Sequence, residues 1–96
     1  HKIRTNPATR LDVDETRKFI IIEEVKERLQ KEDKKIIDID GVRVEDEEGW
    51  FLMRASNTQN QLTCRAESIS EDGLHKLIAV IENQLSLSGV TYKFTI

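Results

Sequence analysis

The chain has 96 residues, of which 15 are basic and 18 acidic, giving a formal net charge of -3. This length suits one domain built around one hydrophobic core. The acidic balance argues against the broad basic surface of a nucleic-acid-binding protein, although it allows a local basic patch. Apolar residues make up 38% of the chain and occur in blocks, which favours a folded domain over a disordered segment.

The cellular location is predicted from cysteine usage and hydropathy. Cys64 is the single cysteine and cannot form an internal disulfide; its alternating surroundings indicate a buried, reduced thiol. No apolar run approaches the roughly 20 residues of a membrane span, and the N-terminus lacks a signal-peptide core. We therefore expect a cytoplasmic protein without a membrane partner. Because the first residue is His1, we also expect a piece of a longer protein.

The first third of the chain predicts a linker, a strand and a helix. Residues 1–8 show no clear period and are expected to be a linker from a preceding domain, so that 9–96 form the domain. Residues 9–13 can form a short strand. Asp14 is expected to cap a helix that runs to about Lys31. Its apolar stripe should contain Phe19, Ile22, Val25 or Lys26, and Leu29, with Ile21 beside them.

The middle of the chain reads as three strands. An extended run begins at Ile36, is interrupted by a turn or bulge at Asp40-Gly41, and resumes over 42–44. An acidic hairpin loop at 45–49 leads to a strand at 50–54. A polar loop at 55–60 then leads to a strand at 61–67, whose alternation places Leu62, Cys64 and Ala66 on one face.

A second helix follows, with Ser70 as its N-cap and Gly89 as its C-cap. The tail at 90–96 alternates apolar and polar residues and could add an edge strand. The order β-α-β-β-β-α predicts an α+β two-layer sandwich, with two helices on one face of an antiparallel sheet of about four strands. This order is TATA-box-binding-protein-like, with an extra C-terminal edge strand as an option.

Residues 54–61, with the sequence RASNTQNQ, can bind an anion. This stretch joins two apolar strands and contains no carboxylate. Arginine matches phosphate oxygens with two charge-assisted bonds, hydroxyls can donate further bonds, and successive backbone amides can form an anion-binding nest. The alternative is an ordinary polar hairpin loop whose side chains bond locally. Composition alone leaves both interpretations open.

Residues 40–67 contain D-G-V-R-V, an acidic loop, G-W-F-L-M-R-A-S-N-T and an extended L-T-C-R-A-E. This region resembles the last domain of the α-D-phosphohexomutases. Their pattern there is D-G-hydrophobic-R, then G-W, R-x-S-N-T-E-P and a strand ending in E-A or E-S. The flanking helices agree, so the similarity covers about 9–85. The chain departs from the pattern at Gln59 and Asn60, where Glu-Pro is commonest, which leaves the loop shape and the sugar preference open.

The resemblance implies a role for the loop. Members of the family have four domains around one cleft, and the fourth closes over the substrate and binds its phosphate. The implied phosphate-binding residues are Arg54, Ser56, Asn57 and Thr58, with Arg65 at a less uniform position. The alternative for Arg65 is a solvated strand arginine. The implied enzyme is a phosphomannomutase/phosphoglucomutase, an isomerase that interconverts hexose 1-phosphate and hexose 6-phosphate by intramolecular phosphotransfer.

The catalytic serine, the metal loop and the sugar-recognition loop of the family belong to other domains, and their motifs are not in this sequence. The resemblance therefore implies a domain that is inactive by itself and has no cofactor, while Mg²⁺ binds through another domain. The implied partners are a hexose phosphate (mannose or glucose phosphate) and the other three domains of the same chain, with no nucleic acid.

The acidic, histidine and aromatic residues allow other interpretations. A metal site is not expected, because the acidic residues lie on a strand and a hairpin without convergence; they are Asp38, Asp40, Asp46, Glu47 and Glu48. His1 and His75 have no metal or nucleophile spacing to Cys64, and His75 is expected on a helix surface. A stand-alone module binding RNA or protein stays open; RNA binding would need exposed strand aromatics, for which the candidates are Trp50, Phe51 and Phe94. Trp50 is expected to serve packing, and not to stack on a sugar.

Overall fold

The computed structural model describes residues 4–32, 36–37 and 41–94, with the backbone alone for 4–8 and 37. This part of the chain forms β1 (Arg4–Asp12), α1 (Lys18–Lys31), β2 (Ile36–Ile37), β3 (Val42–Glu45), β4 (Gly49–Ala55), β5 (Gln61–Ser68) and α2 (Glu71–Leu87). The strands make one antiparallel sheet in the order β1-β5-β4-β3-β2. The predicted α+β fold is confirmed, with the interrupted second strand counted as β2 and β3.

One face of the sheet carries the core. In β4 and β5 the buried residues alternate with exposed or half-buried ones, so Phe51 and Met53 lie beside Ala66 and Cys64. Helix α1 contacts β2, β3 and β4, and α2 contacts β1, β4 and β5. Both helices place their buried side chains in the same core cluster as this face. Among the described residues, the opposite face of β3, β4 and β5 carries exposed or half-buried side chains and is called the open face below.

Strand β1 is longer than predicted, because its backbone pairing with β5 begins at Arg4 and not at Thr9. The register shifts between Asn6 and Thr9. Pro7 lies inside this shift and has no N–H to donate, so the irregularity falls where a regular ladder could not continue. That residues 1–8 link this domain to a preceding one stays a prediction.

Helix α1 begins at Lys18, and the expected cap at Asp14 is wrong. Asp14 Oδ1 accepts hydrogen bonds from the amide and the hydroxyl of Thr16, both at 3.0 Å, and forms a turn ahead of the helix. The bond from the Thr16 amide, more than the others, lowers the pKa of Asp14. Phe19 lies off the buried stripe of α1 and is 54% exposed. Lys18, only 6% exposed, takes the end of that stripe.

The caps of α2 are as expected. Ser70 Oγ accepts from the Gly73 amide at 3.0 Å. At the other end Gly89 has φ +88, and the Val90 amide donates to the Leu85 carbonyl at 2.8 Å. This is the Schellman arrangement, in which glycine takes the left-handed position.

The optional C-terminal edge strand is not formed over residues 90–94. The Phe94 amide instead donates to Glu82 Oε2 at 2.8 Å, so the tail folds back onto α2.

The two helices are joined through the C-terminal turn of α2. Arg28 donates to Gln84 Oε1 at 2.7 Å, to the Gln84 carbonyl at 3.0 Å and to Ser88 Oγ at 2.6 Å. Arg17 donates to the Ser88 carbonyl at 2.9 Å. Gln84 and Ser88 are buried, and the arginines satisfy polar groups that water cannot reach. Positive charge also complements the negative end of the helix dipole.

We expect Arg28→Met to lower the free energy of unfolding by roughly 2–4 kcal/mol, because it keeps an apolar stem but leaves buried acceptors unpaired. Urea denaturation measures the loss. The matched control is Lys31→Met, an exposed change on the same helix, which should stay within about 0.5 kcal/mol of the parent. Equal losses in the two variants would show that the arginine bonds add nothing specific.

Because the Cys64 thiol is buried, the free energy of unfolding should decrease as pH rises in the alkaline range. Burial raises the pKa of Cys64 from 9.0 to about 12. Between these values the unfolded chain releases the thiol proton while the folded chain keeps it, so the thiol contribution is intact below pH 9 and declines as pH rises. The loss should approach about 1.4 kcal/mol per pH unit. Urea unfolding at pH 8 to 10.5 should fall more steeply for the parent than for Cys64→Ala; parallel curves would contradict the shift.

Candidate functional site

A cavity of about 330 Å³ opens at the end of the sheet where β4 runs into the loop of residues 56–60. One side of the cavity is formed by the first turns of α1, and the other by the end of β4 and the loop. Its lining is Phe19, Ile22, Glu23, Gly41, Arg54, Ala55 and Asn57. Two of the predicted site residues, Arg54 and Asn57, therefore share this cavity.

Arg54 is the positively charged residue in the lining of this cavity. It precedes the last residue of β4 and pairs with Thr63 of β5. Because Met53 is buried, alternation places the Cβ of Arg54 on the open face of the sheet. Within the described part of the chain, the Arg54 guanidinium forms no ion pair or hydrogen bond. Glu23, the acid of the cavity lining, pairs with Lys26 at 3.3 Å.

The loop itself offers hydrogen-bond donors. The Ser56 amide donates to the Gln61 carbonyl at 3.0 Å, and Ser56 Oγ accepts from the Gln59 amide at 3.1 Å. Since that oxygen is used as an acceptor, the hydroxyl proton of Ser56 can be donated elsewhere. Asn57 and Thr58 are exposed, and over residues 41–94 the structure shows no hydrogen bond from their backbone amides.

Three contacts tie the loop and the first residue of β5 to residues 12–18. The Val13 amide donates to the Asn60 carbonyl at 2.9 Å. Gln61 Nε2 donates to Asp12 Oδ1 at 3.0 Å. Lys18 Nζ donates to the Gln59 carbonyl at 3.0 Å. A loop without proline is thus held by its neighbours.

Arg65 lies on the open face of the sheet, exposed and on the side away from Cys64, as alternation predicted. It sits diagonally across the β4–β5 pair from Arg54, two residues beyond Thr63, which corresponds to roughly 7–8 Å along the sheet surface. Thr58 and Arg65 do not line the cavity, and neither does Ser56. The structure therefore brings Arg54, Ser56, Asn57 and Thr58 to one end of the sheet without joining all of them in one pocket. Arg65 lies farther along β5, opposite Leu52, with its guanidinium toward Trp50.

Trp50 lies on the open face of the sheet, close to Arg43 and Arg65. The guanidinium of Arg43 lies 4.2 Å from the centroid of its ring, and that of Arg65 lies 5.8 Å away. Arg43 also pairs with Glu45 at 2.9 Å, which fixes it in place. Trp50 is half-buried, in line with the packing role expected for it.

RNA binding would need exposed aromatic side chains on the strands, and the three candidates do not supply them. Phe51 is 2% exposed and faces the helices, and Phe94 lies outside the strands that the structure describes. Of the three aromatics considered, Trp50 alone is on the open face, where Arg43 covers it.

The acidic hairpin has a local structural role. Asp46 Oδ1 accepts from the amides of Glu48 and Gly49 at 2.8 and 2.9 Å and so closes the turn. No three His, Cys, Asp or Glu side chains in the described ranges are grouped to hold a metal ion. Asp38, Asp40 and His1 lie outside those ranges, and the expectation of no metal in this domain stays a prediction. His75 is exposed on α2, as expected.

The sequence did not reveal four residues of the cavity region: Lys18, Phe19, Glu23 and Gly41. Lys18 stands three residues before Ile21 and seven before Val25, and this spacing could have placed it on the buried stripe. Gly41 was expected only in a turn or bulge. Its φ is +133, and an added Cβ would lie 2.5 Å from the Met53 carbonyl oxygen and 2.8 Å from Arg54 Cβ.

Neither α1 nor α2 is long and apolar enough to cross a membrane, within the residues described.

Comparison with known proteins identifies the family. The family model described as "Phosphoglucomutase/phosphomannomutase, C-terminal domain" matches residues 9–84. The chain belongs to this family. It is 40% identical over 81 residues to the phosphomannomutase/phosphoglucomutase of Pseudomonas aeruginosa, covering 84% of this chain and 18% of that protein. It is also 40% identical over 70 residues to a probable phosphoglucosamine mutase of Methanococcoides burtonii, covering 73% of this chain and 16% of that protein.

The fold of the family is shared as well. A crystal structure of a phosphoglucomutase/phosphomannomutase family protein from Burkholderia thailandensis superposes with a TM-score of 0.80 at 23% identity, covering 98% of this chain and 20% of that one. The chain therefore corresponds to one domain and spans about a fifth of the length of these relatives. Relatives with different sugar names match at the same identity, so the match does not select a sugar.

We expect Gly41→Ala to destabilise the chain and to disturb Arg54, because the new methyl group would collide with the backbone of β4 as well as adopt an unfavourable φ. The control is Gly89→Ala, where φ is also positive but nothing lies within 4 Å of the new Cβ. The control should cost about 1 kcal/mol in urea unfolding, and Gly41→Ala at least about twice that. Similar costs for both variants would mean that close approach at Gly41 is unimportant.

Proposed function

We propose that this chain is the C-terminal, substrate-phosphate-binding domain of a phosphomannomutase/phosphoglucomutase-type enzyme. That enzyme interconverts hexose 1-phosphate and hexose 6-phosphate, and this domain closes over the cleft that holds the substrate. Family membership supports the reaction class. The observation that carries the phosphate-binding role is the Arg54 guanidinium, which has no acidic partner in the described part of the chain and stands beside a loop of hydrogen-bond donors.

Arg54 would clamp the phosphate that does not react. A guanidinium forms two parallel charge-assisted bonds with a phosphate. The hydroxyl of Ser56 and the exposed groups of Asn57 and Thr58 would bind the remaining oxygens, and Arg65 would add positive charge from the neighbouring strand. Because residues 54–61 contain no carboxylate, no like charge within the loop opposes the anion.

Binding of the non-reacting phosphate by this domain would assist the reaction at the other end of the sugar. Binding energy from a non-reacting group can be used to orient the reacting one. The catalytic serine, the sugar-recognition loop and the Mg²⁺ site would come from the other three domains of the whole enzyme, so the chain alone would bind the phosphate without turning it over. Movement of this domain as a lid would let substrate enter and leave. A cytoplasmic location stays part of the proposal.

A titration of the isotopically labelled chain tests the proposal. Inorganic phosphate and glucose 6-phosphate are added while the backbone amide signals are followed by NMR. We expect shifts concentrated on residues 54–60, with a dissociation constant of about 1 mM, equivalent to about -4 kcal/mol. Arg54→Ala should weaken binding by about tenfold, because it removes a bidentate charge-assisted contact.

The matched control is Lys76→Ala, which removes one positive charge from an exposed site on α2. It should leave the affinity unchanged, while sodium chloride at equal ionic strength should not shift the loop. Binding that Arg54→Ala leaves intact, or shifts spread over the lysines of the surface, would defeat the proposal.

A further inference from the structure

Lys18 occupies a position that its chemistry does not explain locally. It is 6% exposed, although lysine is among the residues least often buried. It is also the first residue of α1, where the helix dipole disfavours a cation, and the first turn has no acidic residue. None of the ion pairs in the described part of the chain includes it. The explanation for this lysine must lie in its tertiary contact.

That contact is the Gln59 carbonyl, 3.0 Å from Lys18 Nζ. The ammonium also lies 5.1 Å from the centroid of the Phe19 ring, a favourable cation–π position. Phe19 lines the cavity with Arg54, whereas Lys18 does not. Neither Lys18 nor Gln59 lines the cavity, so the contact between them lies outside it.

The peptide bond between Gln59 and Asn60 is planar, so holding the Gln59 carbonyl also fixes the direction of the Asn60 N–H. A trans peptide holds its C=O and N–H on opposite sides, and the described part of the chain contains no cis peptide. With the Gln59 carbonyl held by Lys18, the Asn60 N–H must point to the other side, away from the lysine. This N–H donates no hydrogen bond among the described residues.

We propose that Lys18 is a positioning residue that orients the Gln59–Asn60 peptide, so that the Asn60 N–H is presented as an additional donor to the bound phosphate. The inference rests on the proposed function of the loop. A proline at position 60, the residue commonest there in the resembled pattern, has no N–H and could not supply this donor. The pair of Lys18 and Asn60 would therefore give this chain a phosphate contact that a Glu-Pro loop lacks.

The test follows the Asn60 amide during titration with inorganic phosphate. In the parent chain we expect this proton to move downfield along with the loop amides. Lys18→Met should weaken phosphate binding by about fivefold and suppress the Asn60 shift, because the hydrogen bond from the Asn60 N–H to the phosphate is lost once the peptide is free to rotate. Lys18→Arg, which can still donate to the carbonyl, should recover most of both. Lys76→Met controls for the loss of one charge.

Asn60→Pro makes the test independent of the folding of the lysine variant. It removes the N–H with the residue that the resembled pattern carries, and should weaken phosphate binding by a similar factor. In Asn60→Pro, adding Lys18→Met should have little further effect on affinity, because both changes remove the same contact.

The possible outcomes distinguish a failure of this inference from a failure of the proposed function. An Asn60 signal that stays still while binding depends on Arg54 would overturn the inference and leave the proposed function standing. Additive losses from the two substitutions would also overturn it, since they would mean that Lys18 does not act through Asn60. Binding that does not depend on Arg54 would remove both the proposed function and the inference.

Discussion

The antiparallel register between β4 and β5 fixes both the core and the candidate site. Side chains alternate along each strand, so the pairing of Met53 with Cys64 on the buried face places Arg54 and Arg65 on the open one. A slip of one residue would exchange the two faces and expose the core. The cost of exposing those apolar side chains therefore holds the arginines in position. The loop begins and ends at the last pair of this register, Ala55 with Leu62, so its two ends are fixed by the same packing.

Helix α1 completes what the sheet begins. The sheet sets where the loop starts, while Lys18 and Phe19 at the start of the helix supply a contact with the loop and one wall of the cavity. The helix is itself anchored at Arg28, whose bonds to α2 fix it against the second helix. The loop is short and polar, and it owes its shape to these elements more than to its own sequence.

The parts of the fold that could be predicted from the sequence are those determined by local patterns. The alternation around Cys64 and the cap at Ser70 each involve residues close in the chain, and both are as expected. The start of α1 was wrong because Asp14 bonds to Thr16 in a turn, and the tail differed because Glu82 captures Phe94. For the site, the resemblance supplied the loop residues, and their phosphate-binding roles stay predictions. The contact of Lys18 with the Gln59 carbonyl and the close approach of β4 at Gly41 depend on tertiary neighbours that no local pattern shows.

One outer strand of the described sheet, β1, discourages association between copies. β1 is long, but its pairing is interrupted between Asn6 and Thr9, and Pro7 in that gap has no amide hydrogen. An incoming strand would meet a bend and a missing donor in the middle of its path. The sheet can therefore present an open arginine-bearing face to its surroundings while its β1 edge resists the strand pairing that leads to aggregation.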